Sequence, residues 1–373
     1  MASYRVISSD SHIIEPPNLW TDRMDKKKWG SQIPHMIKGG DVDWWEMGKT
    51  RMATVGAVTQ AGLRFERPQD IKQEGTWDAV RPGAYIPAEH IKDMDVDGVW
   101  GGLVYPSTGL PLYAQEDPVL LRDVFAAYND WLAEFCSEFP DRLKGISMIM
   151  LEDGVQEGIE EMRRSADMGL AGVMISSFPR KGQAYNEPMY EPFWAAAEEL
   201  EMPVALHVTT NRPGWTQVIK DGKAVQTGAD RVQHDYYPRM DLCHMIFSGV
   251  FERYPNLKAA NVEHELGWIP FFIKRMDRTY IERPQATPHR FKSGVLPSDF
   301  MRNNVYHSFQ EDEIGIQLRH YIGVDNLMWG SDYPHAESTF PKSREILEDI
   351  LKGVPEKEKA KIVGANAAKL YKY

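Results

Sequence analysis

The 373-residue sequence predicts an α/β fold, a (β/α)8 TIM barrel with long insertions after strands 1 and 5. Three observations predict it. Short apolar, β-branched runs alternate with longer amphipathic segments, which implies parallel strands joined by right-handed crossovers. Eight such units follow one another, the number that closes a barrel. The first strand is not followed by the glycine-rich phosphate turn of a doubly wound open sheet, the competing architecture.

The elements follow in order. Strand one is read over residues 4–9 and breaks off into Asp10-Ser11-His12, with Glu15 behind. A long insertion, 21–90, holds WGSQIP, GGDVDWWEMGK and RPGAYIP. Strand two covers 99–105 and leads into the helical pattern PVLLRDVFAAYNDWLAEFCSEF. Strand three (144–151) precedes GVQEGIEEMRRSADMG, and strand four (172–177) precedes EPFWAAAEELE. Strand five (203–208) opens a second insertion, 209–240, before MDLCHMIFSGVFERY. Strand six (258–263) is followed by GWIPFFIKRMDRTYIE, strand seven (304–309) by EDEIGIQLRHYIG, and strand eight (327–331) by the closing helical stretch. The chain reads as one domain, 1–373, with 21–90 as a lid within it. Long irregular loops in a compact domain are usually lids or binding loops, and both insertions leave strand C-terminal ends, where barrel active sites form.

Composition narrows the function. A net charge of −11 without a basic block argues against nucleic acid and anionic membranes as partners, because nothing is there to neutralise phosphates. Two cysteines, Cys136 and Cys243, lie in separate apolar segments. That count excludes a disulfide framework and a cysteine-rich zinc site, and reduced thiols fit a cytoplasmic protein. The N-terminus runs straight into a strand without a signal-peptide pattern, and no apolar run approaches the roughly 18 residues that span a bilayer. The expected partner is a small-molecule substrate.

The strand ends carry the chemistry. Strand one ends in Asp10 and His12, which point the same way because strand side chains alternate. Strand five ends at His207, strand six at Glu263, His264 and Glu265, strand seven carries His307, Gln310 and Asp312, and strand eight ends at Asp332 with His335 three residues on. Imidazoles and carboxylates alone suit zinc, iron or manganese better than calcium or magnesium. A lone D-x-H is also what a turn-capping aspartate and a hydrogen-bonded histidine look like. The coincidence at the other strand ends is what points to an ion. Trp44, Trp45 and Trp215 in the insertions hint at a flat or apolar substrate, with His335 beside it. Arg212, Arg239 and Arg302 are candidates for a substrate carboxylate.

The motifs SSDSHIIEPPNLW, YEPFWAAAEELEMPVALH, FERYPNLKAANVEHELGWIPFFIKRMD, NLMWGSDYPH and GANAAKLY occur in this order from one end of the chain to the other. With them the chain resembles the amidohydrolase-related family, the branch of the amidohydrolase superfamily that includes aminocarboxymuconate semialdehyde decarboxylase and the dihydroxybenzoate decarboxylases. The resemblance implies a distorted (β/α)8 barrel with a divalent metal ion at its C-terminal rim. It implies Asp10, His12, His207 and Asp332 as ligands and His264, six residues before Pro270, as the acid/base. Zinc is the family's first choice. The first-strand motif here is D-x-H where many relatives have H-x-H or E-x-H, and the extra carboxylate favours iron or manganese. No lysine stands where a carboxylated bridge would need one at the end of strand four.

The expected activity is a metal-assisted hydrolase or nonoxidative decarboxylase, with His264 and Asp332 moving protons. A second reading is a dinuclear iron or iron/manganese oxygenase on the same scaffold, with Glu15, Glu263 and His264 helping to hold a second ion. A third is a catalytically silent partner subunit. Family habit implies a homodimer or larger assembly, with a hetero-oligomer of paralogues as a variant.

Overall fold

The computed structural model describes residues 4–56, 58–212, 218–220, 223–225, 228–292 and 294–373. Eight parallel strands form one sheet in chain order: β1 Ile7–His12, β2 Gly101–Tyr105, β3 Leu143–Met148, β4 Gly172–Ile175, β5 Val204–His207, β6 Ala259–Val262, β7 Val305–Phe309 and β8 Leu327–Trp329. Representative register pairs are Ile7 with Gly101, Val173 with Val204, Ala259 with Val305 and His307 with Leu327. Nearly every strand residue is buried, as expected of parallel strands covered by helices on the outside. The eight strands match the sequence reading; the main shift is in β1, which starts later and runs on through His12.

The outer helices start where local chemistry says they should. Pro118–Ser137 begins with Pro118 in its first turn, and the Asp117 carboxylate accepts from the amides of Val119 and Leu120. Its buried face is Leu121, Val124, Phe125, Tyr128 and Leu132, the helical period written in the sequence. Among the described residues, no helix is long and apolar enough to cross a membrane.

Closure between the first and last strands uses side chains. Among the described residues, β1 and β8 share no ladder of their own. Instead the Ser8 hydroxyl accepts from the Ser331 amide at 2.9 Å, lies 3.1 Å from Ser331 Oγ, and receives the Ser11 hydroxyl at 2.8 Å. Just beyond β8, the Asp332 amide donates to Asp10 O at 2.8 Å and the His12 amide to Tyr333 O at 2.6 Å. RVISSDSH is serine-rich because these hydroxyls satisfy buried backbone groups where the ladder is interrupted.

The first insertion is not irregular. It folds into a three-stranded antiparallel sheet of His35–Ile37, Trp44–Met47 and Thr50–Thr54, followed by short helices. Trp45 is fully buried with its ring edge-on to Trp20, centroids 5.2 Å apart. Arg64 donates to Ser338 O at 2.9 Å and pairs with Glu311, docking the insertion beside the ends of β7 and β8. In the second insertion, Val218–Lys220 and Lys223–Val225 pair antiparallel, and helices Gly228–Val232 and Tyr236–Phe247 follow. Trp215 lies outside the described residues.

Candidate metal centre

Asp10 and His12 stand two residues apart at the end of β1, and both are buried. Asp332 reaches them from a left-handed residue, φ 57°, just past β8. Gly330 makes that approach feasible: a Cβ there would fall 2.5 Å from the Asp10 Cβ. His12 Nε2 then lies 3.3 Å from Asp10 Oδ1 and 3.3 Å from Asp332 Oδ1. His207, ending β5, brings its Nε2 to 3.4 Å from Asp10 Oδ1 and 3.7 Å from Glu263 Oε2.

The hydrogen bonds at the back of the two imidazoles decide what the front can hold. His12 Nδ1 is 2.8 Å from the carbonyl of Pro106, and His207 Nδ1 is 3.1 Å from that of Val208. A carbonyl only accepts, so each Nδ1 carries the hydrogen and each neutral ring offers a lone pair at Nε2. Those lone pairs face carboxylate oxygens, which also only accept. Asp10 Oδ2 and His12 Nε2 have no hydrogen-bond partner although they are buried. A cation is what converts this convergence of acceptors into attraction, and backbone-oriented histidines are the usual surround of metal ligands. The residues fit a divalent ion.

A proton on His12 Nε2 can meet the same acceptors. Burial opposes charge on Asp10 and His12, yet their contacts outweigh it: His12 and His207 hold the Asp10 carboxyl far below its usual range, and Asp10 and Asp332 hold His12 well above. Burial, then the negative charges of Asp332 and Asp10, push the Glu263 carboxyl well above its usual value. The donor atoms fall into two overlapping groups, each within 4.8 Å: Asp10, His12, His207 and Glu263 in one, His12, Asp332 and His335 in the other.

Beyond β6 the backbone turns at once, with Glu263 at φ 62° and Glu265 at φ 53°. Non-glycine residues in this region store strain and concentrate at functional sites. The turn frees Glu263 to reach His207 and leaves His264 buried with both ring nitrogens unpartnered. Burial first, then His207 and His234, hold the His264 imidazole well below its usual value, so it is neutral. The Trp268 indole donates to the His264 carbonyl at 2.7 Å and braces the turn.

Other expected residues lie elsewhere. Glu15 does not join the cluster: its two oxygens accept from the amides of Thr108 and Gly109, both at 2.8 Å, so it clamps the loop after β2. Trp45 is a core anchor, and Trp44 sits in the insertion sheet with Arg51 over its ring. His335 is placed against the cluster, Nδ1 2.7 Å from Asp332 Oδ1 and its ring stacked on His12 at 4.0 Å. Arg212 is buried and engaged by Glu152 at 2.9 Å, Arg302 donates to Tyr321 O, and Arg239 pairs with Asp235. Two residues escaped the sequence reading. Tyr105, the last residue of β2, sets its ring 5.0 Å from His207 and 6.0 Å from His12. His234 approaches His264 from the second insertion. A strand-end position was the available signal for Tyr105; none marked His234.

The model of the Amidohydrolase family matches residues 77–373. A 2-amino-3-carboxymuconate-6-semialdehyde decarboxylase of Dictyostelium discoideum is 28% identical over 250 residues, covering 66% of this chain and 65% of that protein. A gamma-resorcylate decarboxylase of Rhodococcus jostii is 26% identical over 270 residues, covering 67% of this chain and 77% of that protein. An amidohydrolase from Mycobacterium avium subsp. paratuberculosis superposes with a TM-score of 0.80 at 25% identity, over 100% of this chain and 98% of that one. A dihydroxybenzoic acid decarboxylase from Polaromonas, solved with bound manganese, gives a TM-score of 0.64 at 17% identity, over 99% and 97%.

Proposed function

The chain belongs to the amidohydrolase family, and from that premise we propose that it is a metal-dependent, nonoxidative decarboxylase of small aromatic or otherwise unsaturated carboxylic acids. The observation that carries this is His264: buried, neutral and unpartnered, at the turn that also sends Glu263 into the cluster. The names of the decarboxylase relatives, and the manganese in the Polaromonas protein, support it. Asp10, His12, His207 and Asp332 would hold the ion.

When bound, the ion supplies charge stabilisation to substrate oxygens. The rest falls to side chains. Decarboxylation breaks one carbon–carbon bond, leaves the electron pair on the substrate carbon as CO2 departs, and needs a proton delivered there. His264 relays that proton from solvent. An anionic substrate beside it raises its proton affinity for the moment of transfer. Asp332 keeps the ligand cluster anionic, and in the hydrolytic variant of the chemistry its carboxylate would serve as the proton acceptor.

The test is CO2 release from a panel of hydroxybenzoates by protein purified without added metal, before and after chelation. We expect activity that chelation abolishes and manganese or zinc restores. A fully loaded protein that releases no CO2 from any of them would overturn the reading.

One observation favours a second reading. Glu263 and His335 add donor atoms on either side of the four-ligand set, and a surplus of ligands is what a dinuclear iron or iron/manganese oxygenase would need. Metal content separates the two. One ion per chain supports the decarboxylase; two irons, or iron with manganese, support the oxygenase.

A further inference from the structure

We infer that Tyr333 and Asp93 are positioning residues for the ligand Asp332, and that Arg81 ties this positioning to the end of the first insertion; the inference rests on the metal-site reading above. Tyr333 directly follows Asp332 and is buried. Its carbonyl accepts the His12 amide at 2.6 Å, and the Asp332 amide donates to Asp10 O at 2.8 Å. The Asp332–Tyr333 dipeptide is therefore held at both ends by two other ligands, through the Asp332 amide and the Tyr333 carbonyl. What fixes the far end of the Tyr333 side chain helps fix the orientation of that peptide, and with it the Asp332 carboxylate.

The far end is fixed by a hydrogen bond. The Tyr333 hydroxyl donates to Asp93 Oδ2. Asp93, on the helix Pro87–Asp97, in turn takes a fork from Arg81, with Nη2 at 2.7 Å and Nε at 3.2 Å. Arg81 and Tyr333 also share one ring: the guanidinium lies 4.9 Å from the centroid of Phe340, and the Tyr333 ring 5.0 Å. The insertion lies close against the Tyr333 hydroxyl. A Cβ at Gly83 would fall within 2.5 Å of the Tyr333 hydroxyl. His90 Nδ1 holds the Gly83 carbonyl at 2.8 Å while its ring meets Tyr333 edge-on at 5.3 Å. The Ile14 amide, two residues past β1, donates to Ala84 O at 2.8 Å. The route from Arg81 through Asp93 and Tyr333 to Asp332 is a short series of oriented, charge-assisted contacts, the kind that orients first ligands in metal sites. None of these residues offers an atom to the ion.

The test uses Co(II) loaded into the full-length protein, read by titration and by its visible absorption bands, with the melting temperature recorded in parallel. Tyr333→Phe removes one hydroxyl and leaves the ring in place. We expect it to weaken Co(II) binding roughly 10- to 100-fold, to shift the absorption bands, and to leave a cooperative melt. Asp93→Ala should do the same. Asp93→Asn, which keeps an oxygen acceptor for the Tyr333 hydroxyl, should recover most of the affinity and the wild-type bands. Tyr333→Phe and Asp93→Ala proteins with wild-type affinity and spectrum, even if they melt at lower temperature, would overturn the inference while leaving the metal site intact. A wild-type protein that takes up no Co(II) would overturn both together.

Discussion

The two walls of the site are built differently. The seam wall, β1 with β8, carries Asp10, His12 and Asp332, and its backbone and hydroxyl groups are satisfied in detail by Ser8, Ser11, Ser331 and the Asp93–Tyr333 contact. The far wall, β5 with β6, carries His207, Glu263 and His264; there both ring nitrogens of His264 lack a partner, whereas the unpartnered seam atoms, Asp10 Oδ2 and His12 Nε2, belong to the ligand set. The contrast divides the labour. Ligand geometry has to be fixed in advance, and dense hydrogen bonding fixes it. A group that carries a proton to a substrate has to be left without a standing partner.

The sharpest way to break this division is to remove a ligand from the seam wall and then the proton carrier from the far wall. His12→Ala and Asp332→Asn should abolish bound ion, read by elemental analysis, and bring activity to background. Retention of both metal and activity would falsify the metal reading altogether. Next comes His264→Ala. Turnover should fall on the order of 10²- to 10⁴-fold, as for loss of a general acid/base, while ion content stays at the wild-type level. A variant that instead loses its ion would move His264 from the proton-carrying role to the ligand shell.

Smaller effects probe the seam alone. Gly330→Ala drives a methyl against Asp10, and overpacking of this kind costs about 1–3 kcal/mol; denaturant midpoint and ion content should fall together. Ser8→Ala leaves the Ser331 amide without its acceptor, an expected loss of about 1–3 kcal/mol for a buried unsatisfied group. An unchanged denaturation midpoint would mean the hydroxyl cluster is decorative.

The smallest effect belongs to the far side. Asp241, on the helix Tyr236–Phe247, is fully buried with both oxygens unpartnered, and burial raises its carboxyl well above the usual value against a slight opposing pull from the Phe178 backbone. A raised carboxyl stabilises the fold only while the unfolded chain is also protonated. As pH rises past about 3.9 the unfolded state releases its proton first, and stability declines until the folded carboxyl ionises too. Asp241→Asn should therefore match wild type near pH 4 and exceed it at pH 8 in chemical denaturation. Parallel pH profiles would count against this.

The two walls also differ in how much of them the sequence discloses. Asp10 and His12 are legible because two residues is the strand period, and the eight apolar runs place His207 and Asp332 on the same rim. Glu263 is legible as a strand-end carboxylate, but its reach to His207 is not, since it depends on a left-handed turn that no glycine announces. Glu15 misleads for the opposite reason: a carboxylate close to a ligand pair in sequence is drawn off by two backbone amides of the β2 loop. Trp45 looks like a loop aromatic until its insertion folds into a sheet and buries it. His234 and the tie between Asp93 and Tyr333 join segments far apart in the chain, and local patterning carries no trace of such contacts.

The seam has one more consequence, and it concerns time rather than space. Ser8 and Ser331 are 323 residues apart in the chain. Contacts of such separation form only after the intervening segments have been brought together, because loop closure must precede them. A nascent or truncated chain that lacks its last strand has Asp10 and His12 but no Asp332 to complete them. With the proposed ligand set, ion uptake would double as a completion signal: an ion-loaded molecule would be one whose two ends have already met.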